Sequence, residues 1–113
     1  MLPAKADQKN YTTEVTQFFG DNEYSFRIGW KQLEELQDAC GVGPCLILDR
    51  LQRRTCKVEE LANVIRLGLI GGGMDARRAL SLVQTHVQGG PPFVWLEVAT
   101  TAMAAAICGR PKE

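Results

Sequence analysis

The chain has 113 residues, 45% hydrophobic and 23% charged, and its 13 basic and 13 acidic side chains cancel to a formal charge of zero. That length and composition suit one globular domain able to bury about two thirds of its unfolded surface without disulfides or metal. They exclude a wholly disordered chain, and the neutral balance removes the simplest nucleic-acid reading, which draws on a surplus of Lys and Arg.

Residues 1–12 are polar, carry Lys5, Asp7 and Lys9, and show neither helical nor strand periodicity. A mobile arm is expected there. The start, MLPAKADQKNYTT, has no apolar core behind a basic head, and no stretch of the chain reaches the roughly 18 apolar residues of a membrane span. A soluble, non-secreted protein with no membrane partner is expected. A single domain is expected over 13–109, with 110–113 as a tail.

The stretch TEVTQFFGDNEYSFRIG holds β-branched and aromatic residues on both sides of Gly20, Asp21 and Asn22, which suit the positive φ of a tight turn. Tyr24, Phe26 and Ile28 alternate with Ser25 and Arg27, so one face of this hairpin must meet a core. From Trp30 the period changes to about 3.6, with Trp30, Leu33, Leu36 and Cys40 on one face. Gly41 and Gly43 stop that helix. Pro44 opens a second one, with Ile47, Leu48 and Leu51 as its apolar stripe. Arg50, Arg53 and Arg54 gather near its end, where cations complement the helix dipole.

A third helix is read from KVEELANVIRLGLI, with Glu59 and Glu60 in the first turn and Val58, Leu61, Ile65 and Leu69 on one face. Gly71, Gly72 and Gly73 follow, which means either a flexible corner or a close backbone approach. They form no phosphate loop, since no strand precedes them and no GK[ST] ending follows. Asp75 is placed to cap a fourth helix with Ala79, Leu82, Val83 and Val87 inward, although Arg77 and Arg78 oppose the dipole in its first turn. After Gly89, Gly90, Pro91 and Pro92 a last helix runs from about Phe93 to Cys108. Its apolar surface covers most of its circumference, so it is either central to the bundle or a sticky contact face, and we expect it at the centre.

The fold class expected is α+β, mostly α: an N-terminal β-hairpin followed by a bundle of about five helices. No catalytic, cofactor or metal constellation accompanies it. Cys40, Cys45, Cys56 and Cys108 form no CxxC pair, and His86 is the single histidine. Zinc would have to recruit scattered cysteines, and His86 has no nucleophile beside it in sequence. Glu34 with Glu35 and Glu59 with Glu60 are adjacent, so they diverge on a helix instead of forming a paired carboxylate site. The chain reads as a non-enzymatic binding or assembly module.

The hairpin FFGDNEYSFRI running into LEELQDACG, the block NVIRLGLIGGG followed by an amphipathic helix, and the alanine-rich final helix resemble the gene transfer agent and phage tail protein family. The resemblance covers about residues 13–109. It implies a mechanical role in tail morphogenesis, either as an assembly chaperone that shields tail tube or tape-measure subunits or as a structural tube component. It also implies the bacterial cytoplasm during assembly, or the virion for a structural component. Lys57 stands where similar sequences tend to have a hydroxyl cap, and Arg77 and Arg78 replace an acidic first turn.

One hairpin cannot supply the large sheet a ring-forming tube subunit needs, which favours the chaperone, and the hairpin edge could accept a client strand. The partners expected are a tail tube or tape-measure subunit, with self-association a further option. The partner-binding candidates are Phe18, Phe19 and Tyr24 on the hairpin and Phe93, Trp95 and Met103 on the last helix, each of which also reads as core. A competing reading is a small helical nucleic-acid-binding regulator using Arg50, Arg53, Arg54, Arg77 and Arg78.

Overall fold

A computed structural model describes residues 10–112. The chain order is β1 (Tyr11–Thr12), β2 (Glu14–Phe19), β3 (Asn22–Arg27), α1 (Trp30–Cys40), α2 (Pro44–Gln52), α3 (Val58–Gly71) and α4 (Ala76–Val83). A π-helical turn (Gln84–Gln88) and a 3-10 turn (Pro92–Trp95) then lead into α5 (Leu96–Cys108) and β4 (Arg110–Pro111). The architecture is mostly helical with a short antiparallel hairpin at its N-terminal side, as the periodicity predicts.

The stretch expected to be a mobile arm lies mainly in residues 1–9, outside the described residues. Its last positions, Tyr11 and Thr12, form β1 and pair antiparallel with Pro111 and Arg110 of β4. The Lys112 N–H donates to the Asn10 carbonyl at 2.9 Å, extending the same ribbon.

In the hairpin Phe19 lies opposite Asn22, so the loop is Gly20–Asp21. Only Gly20 takes a positive φ there, +69°; Asp21 and Asn22 do not, which places the glycine at the position where a two-residue turn needs it. Val15 and Phe19 of β2, with Phe26 of β3 and Ile28 beyond it, point to the core, and the alternate side chains face outward. Gln17, on the inner face, donates from Nε2 to the Val98 carbonyl at 3.0 Å and ties β2 to α5.

The helix buried on most sides is α3, packed against β3, α1, α4 and α5. Leu61, Val64, Ile65, Leu67 and Leu69 are fully enclosed. The last helix shares the centre less completely: Ala99, Ala102 and Met103 are enclosed, while Val98, Ala106 and Ile107 are half-buried. Glycines set how closely α3 meets the hairpin. At Gly68 a Cβ would stand 3.0 Å from the Phe26 ring, and at Gly71 and Gly72 it would stand 1.6 Å and 2.0 Å from the carbonyl oxygens of Arg27 and Ser25. Of the two meanings the glycine triplet allows, close backbone approach is therefore the one realised at Gly71 and Gly72.

Caps explain the boundaries. Glu60 Oε1 accepts from the Lys57 N–H at 2.9 Å, so the third residue of α3 reaches back to a cap position that lacks a hydroxyl. Asp75 caps α4 by accepting from the Arg77 and Arg78 N–H groups at 3.1 and 3.3 Å. Two positions depart from the helical stripes. Trp30, predicted inward, is 79% exposed, and Val58 is 47% exposed, while Leu36 and Leu61 further along the same stripes are fully buried. Period tells which residues share a face; it does not tell how far the covering element extends, and both residues begin their helices beyond that cover.

Candidate interaction surface

Phe19 organises the hairpin tip. Its ring meets Trp95 at 5.0 Å, His86 at 5.7 Å and Phe26 at 6.3 Å between centroids, all edge-on, the geometry that ring quadrupoles favour. The Trp95 Nε1–H donates to the His86 carbonyl at 2.9 Å. The imidazole lies on the turn so closely that a Cβ at Gly20 would be 2.4 Å from His86 Cδ2. His86 is thus a half-buried packing residue that joins the π-helical turn to the hairpin.

This cluster sorts the six candidate contact residues. Phe19 and Met103 have no accessible surface and belong to the core. Trp95 is half-buried by the cluster. Tyr24 is half-buried, donates its hydroxyl to Asp21 Oδ1 at 2.6 Å and lies under the Arg78 guanidinium, 5.7 Å from the ring centroid. That bond holds the Asp21 carboxyl below its ordinary pKa and raises the Tyr24 hydroxyl above its own. Phe18 and Phe93 remain open, at 56% and 49% exposure.

The structure adds Val94, Trp30, Leu46, Val58 and Leu80 to the exposed large apolar side chains. Val94 could be suspected from its setting, since a 3-10 turn of Pro-Phe-Val-Trp that anchors its tryptophan inward must turn other members outward. A groove of about 430 Å³ runs beside it between Leu51, Arg54, Phe93 and Thr100. Another of about 370 Å³ lies between Val58, Ala62, Val87 and Pro92. A third, of about 450 Å³, follows the outer side of β2 toward Arg110, Pro111 and Lys112.

Three of the five arginines of the nucleic-acid reading have separate local tasks. Arg50 pairs with the buried Glu60, Arg53 Nε donates to Asp49 Oδ1 at 2.9 Å, and Arg78 covers Tyr24. Arg54 takes a positive φ of 61° and lines the groove beside Phe93, whereas Arg78 lines a different one beside Met74. Cys45 and Cys108 are exposed, Cys40 is half-buried and Cys56 buried, all with free thiols. Burial, with the charge of Glu60 adding to it, pushes the thiols of Cys40 and Cys56 up. Among the described residues no group of three or more His, Cys, Asp or Glu is placed to hold a metal. No helix among them is long and apolar enough to cross a membrane.

Residues 12–109 match the protein family described as phage tail tube protein, GTA-gp10. No curated protein and no solved structure matches the chain.

Proposed function

The chain belongs to the phage tail tube protein, GTA-gp10, family, and from that membership, which gives it a tail-related role, we propose that it acts without catalysis as a tail assembly chaperone. It binds tail tube or tape-measure subunits and covers their apolar surfaces until they polymerise. The observation that supports this is the strand inventory: the described strands form two separate two-stranded ribbons, β1 with β4 and β2 with β3. A ring built by joining sheets between subunits needs more strand than that, whereas the adjacent open side chains of Phe93 and Val94, lining one groove, suit transient holding of another polypeptide.

A second reading, a structural component of the tube, is favoured by the family's own description. Both are tested by co-expressing the chain with the tail tube and tape-measure subunits of its particle, purifying it from the assembling lysate, and assaying finished particles for it. A chaperone is captured with a subunit and is missing from particles. Presence in particles in proportion to the tube subunit selects the structural reading, and failure to capture either subunit together with absence from particles overturns both.

A further inference from the structure

The two outer edges of the β2–β3 hairpin are treated differently by the rest of the fold. The carbonyl oxygens of Ser25 and Arg27 lie against Gly72 and Gly71, so they point away from β2. In an antiparallel ladder such residues belong to the pairs whose N–H and C=O groups both face outward. Their partners are Thr16 and Glu14, and the same alternation includes Phe18 opposite Glu23. Glu14, Thr16 and Phe18 therefore turn their backbone groups toward the opposite edge.

The β3 edge is closed by the end of α3. The β2 edge is open: Thr12 Oγ1 accepts from the Glu14 N–H at 3.1 Å, but no described residue hydrogen-bonds the outward groups of Thr16 or Phe18. Proteins ordinarily block such an edge, because it templates pairing with another chain. The groove of about 450 Å³ lies along its first half, from Glu14 to Thr16, with Arg110, Pro111 and Lys112 as the far wall. The Glu14 carboxylate is already engaged by the Ser25 hydroxyl, and neither Arg110 nor Lys112 has an ion-pair partner among the described residues. A hydroxyl leaves the Glu14 charge in place, but Arg110 and Lys112 outweigh it two to one, so the described lining of the groove is net positive.

We propose that the β2 edge receives an extended, acidic segment of the partner tail polypeptide as a third strand. Backbone bonds to Thr16 and Phe18 provide the pairing, Phe18 meets an apolar side chain on the outer face, and Arg110 and Lys112 meet a carboxylate. This rests on the tail-binding reading above and specifies its contact. A second copy of the chain fits less well, since pairing β2 with β2 about Thr16 sets Glu14 against Phe18 with no charge match.

The test uses the full chain co-expressed with the tail tube and tape-measure subunits. Thr16→Pro removes an N–H that the hairpin ladder does not use, and proline is tolerated on an edge strand. Capture of the subunit is expected to fall by at least about tenfold in Thr16→Pro, and by a similar factor in Arg110→Glu with Lys112→Glu. In the unsubstituted complex, hydrogen exchange at the Thr16 and Phe18 amides is expected to slow, a readout independent of how well the proline variant folds. Capture undiminished in Thr16→Pro, or unchanged exchange at those amides in the complex, overturns the edge contact while leaving the tail-binding reading standing. Capture of neither subunit by the unsubstituted chain overturns both. Self-association that Thr16→Pro abolishes assigns the edge to a second copy and overturns the proposal.

Discussion

The backbone of Gly71 lies against the carbonyl oxygen of Arg27, leaving no room for a Cβ, which would stand 1.6 Å from it. Gly71→Ala in an open helix would stabilise by about 1 kcal/mol through helix propensity. Here the sign reverses, because α3 must separate from β3 to admit the methyl group, and overpacking of backbone against backbone costs about 3 kcal/mol. Urea denaturation of Gly71→Ala is expected to show that loss, while Gly90→Ala, whose nearest neighbour would be the His86 carbonyl at 3.7 Å, stays within about 0.5 kcal/mol of the parent.

Glu60 is 1% exposed and bonded twice, to the Arg50 guanidinium and to the Lys57 N–H. Removing Arg50 leaves a buried carboxylate without its counter-charge, an effect of about 3 to 5 kcal/mol for a fully enclosed pair. The Arg50 side chain keeps 27% of its surface in solvent, so water screens part of the interaction and Arg50→Leu is expected to cost about 2 kcal/mol. Adding Glu60→Leu should recover part of that loss, though not the bond to Lys57. A double-mutant cycle in urea checks it, and independent losses that simply add would show that the pair is not coupled.

How much of this was legible in the sequence depends on the range of the interaction. The hairpin, the Asp75 cap and the stripes of α2 and α4 are written in residues a few positions apart, and each is found where the pattern predicts it. Trp30 and Val58 fail because an apolar stripe says nothing about where the neighbouring element ends. The glycine triplet and the Arg50–Glu60 pair depend on which elements meet in space, so the sequence offers alternatives for the first and no signal for the second. Among the contact candidates, Phe18 and Phe19 are adjacent aromatic residues on opposite faces of a strand, and only the direction of the core distinguishes them.

Burial first, and the Glu60 charge second, raise the Cys56 thiol above its ordinary pKa. The folded state therefore holds the proton more tightly than the unfolded chain does. The resulting stability is present in full below the unfolded thiol value of about 8.5 and is lost as pH rises through the folded value. Parent and Cys56→Ala are expected to diverge least at alkaline pH, where the parent loses the contribution its thiol makes at neutrality. Urea midpoints measured from pH 7 to 10 check this, and parallel curves would refute it. In thiol labelling of the native protein at pH 8, Cys45 and Cys108, both exposed, should react before Cys56.

Phe18 and Phe19 separate binding from folding. Phe19 has no exposed surface and meets Phe26, His86 and Trp95, so Phe19→Ala is expected to destabilise by about 3 to 5 kcal/mol and to loosen the π-helical turn as well as the hairpin tip. Phe18, 56% exposed, lies on the opposite face. Phe18→Ser should leave the urea midpoint within about 0.5 kcal/mol of the parent, because it opens no cavity and strands no polar group. Its effect belongs to the complex, where capture of the tail subunit should weaken while the free chain melts as before. A Phe18→Ser variant that unfolds early would mean the outer face of the hairpin is covered within the chain, and Phe18 would then have no claim to a partner.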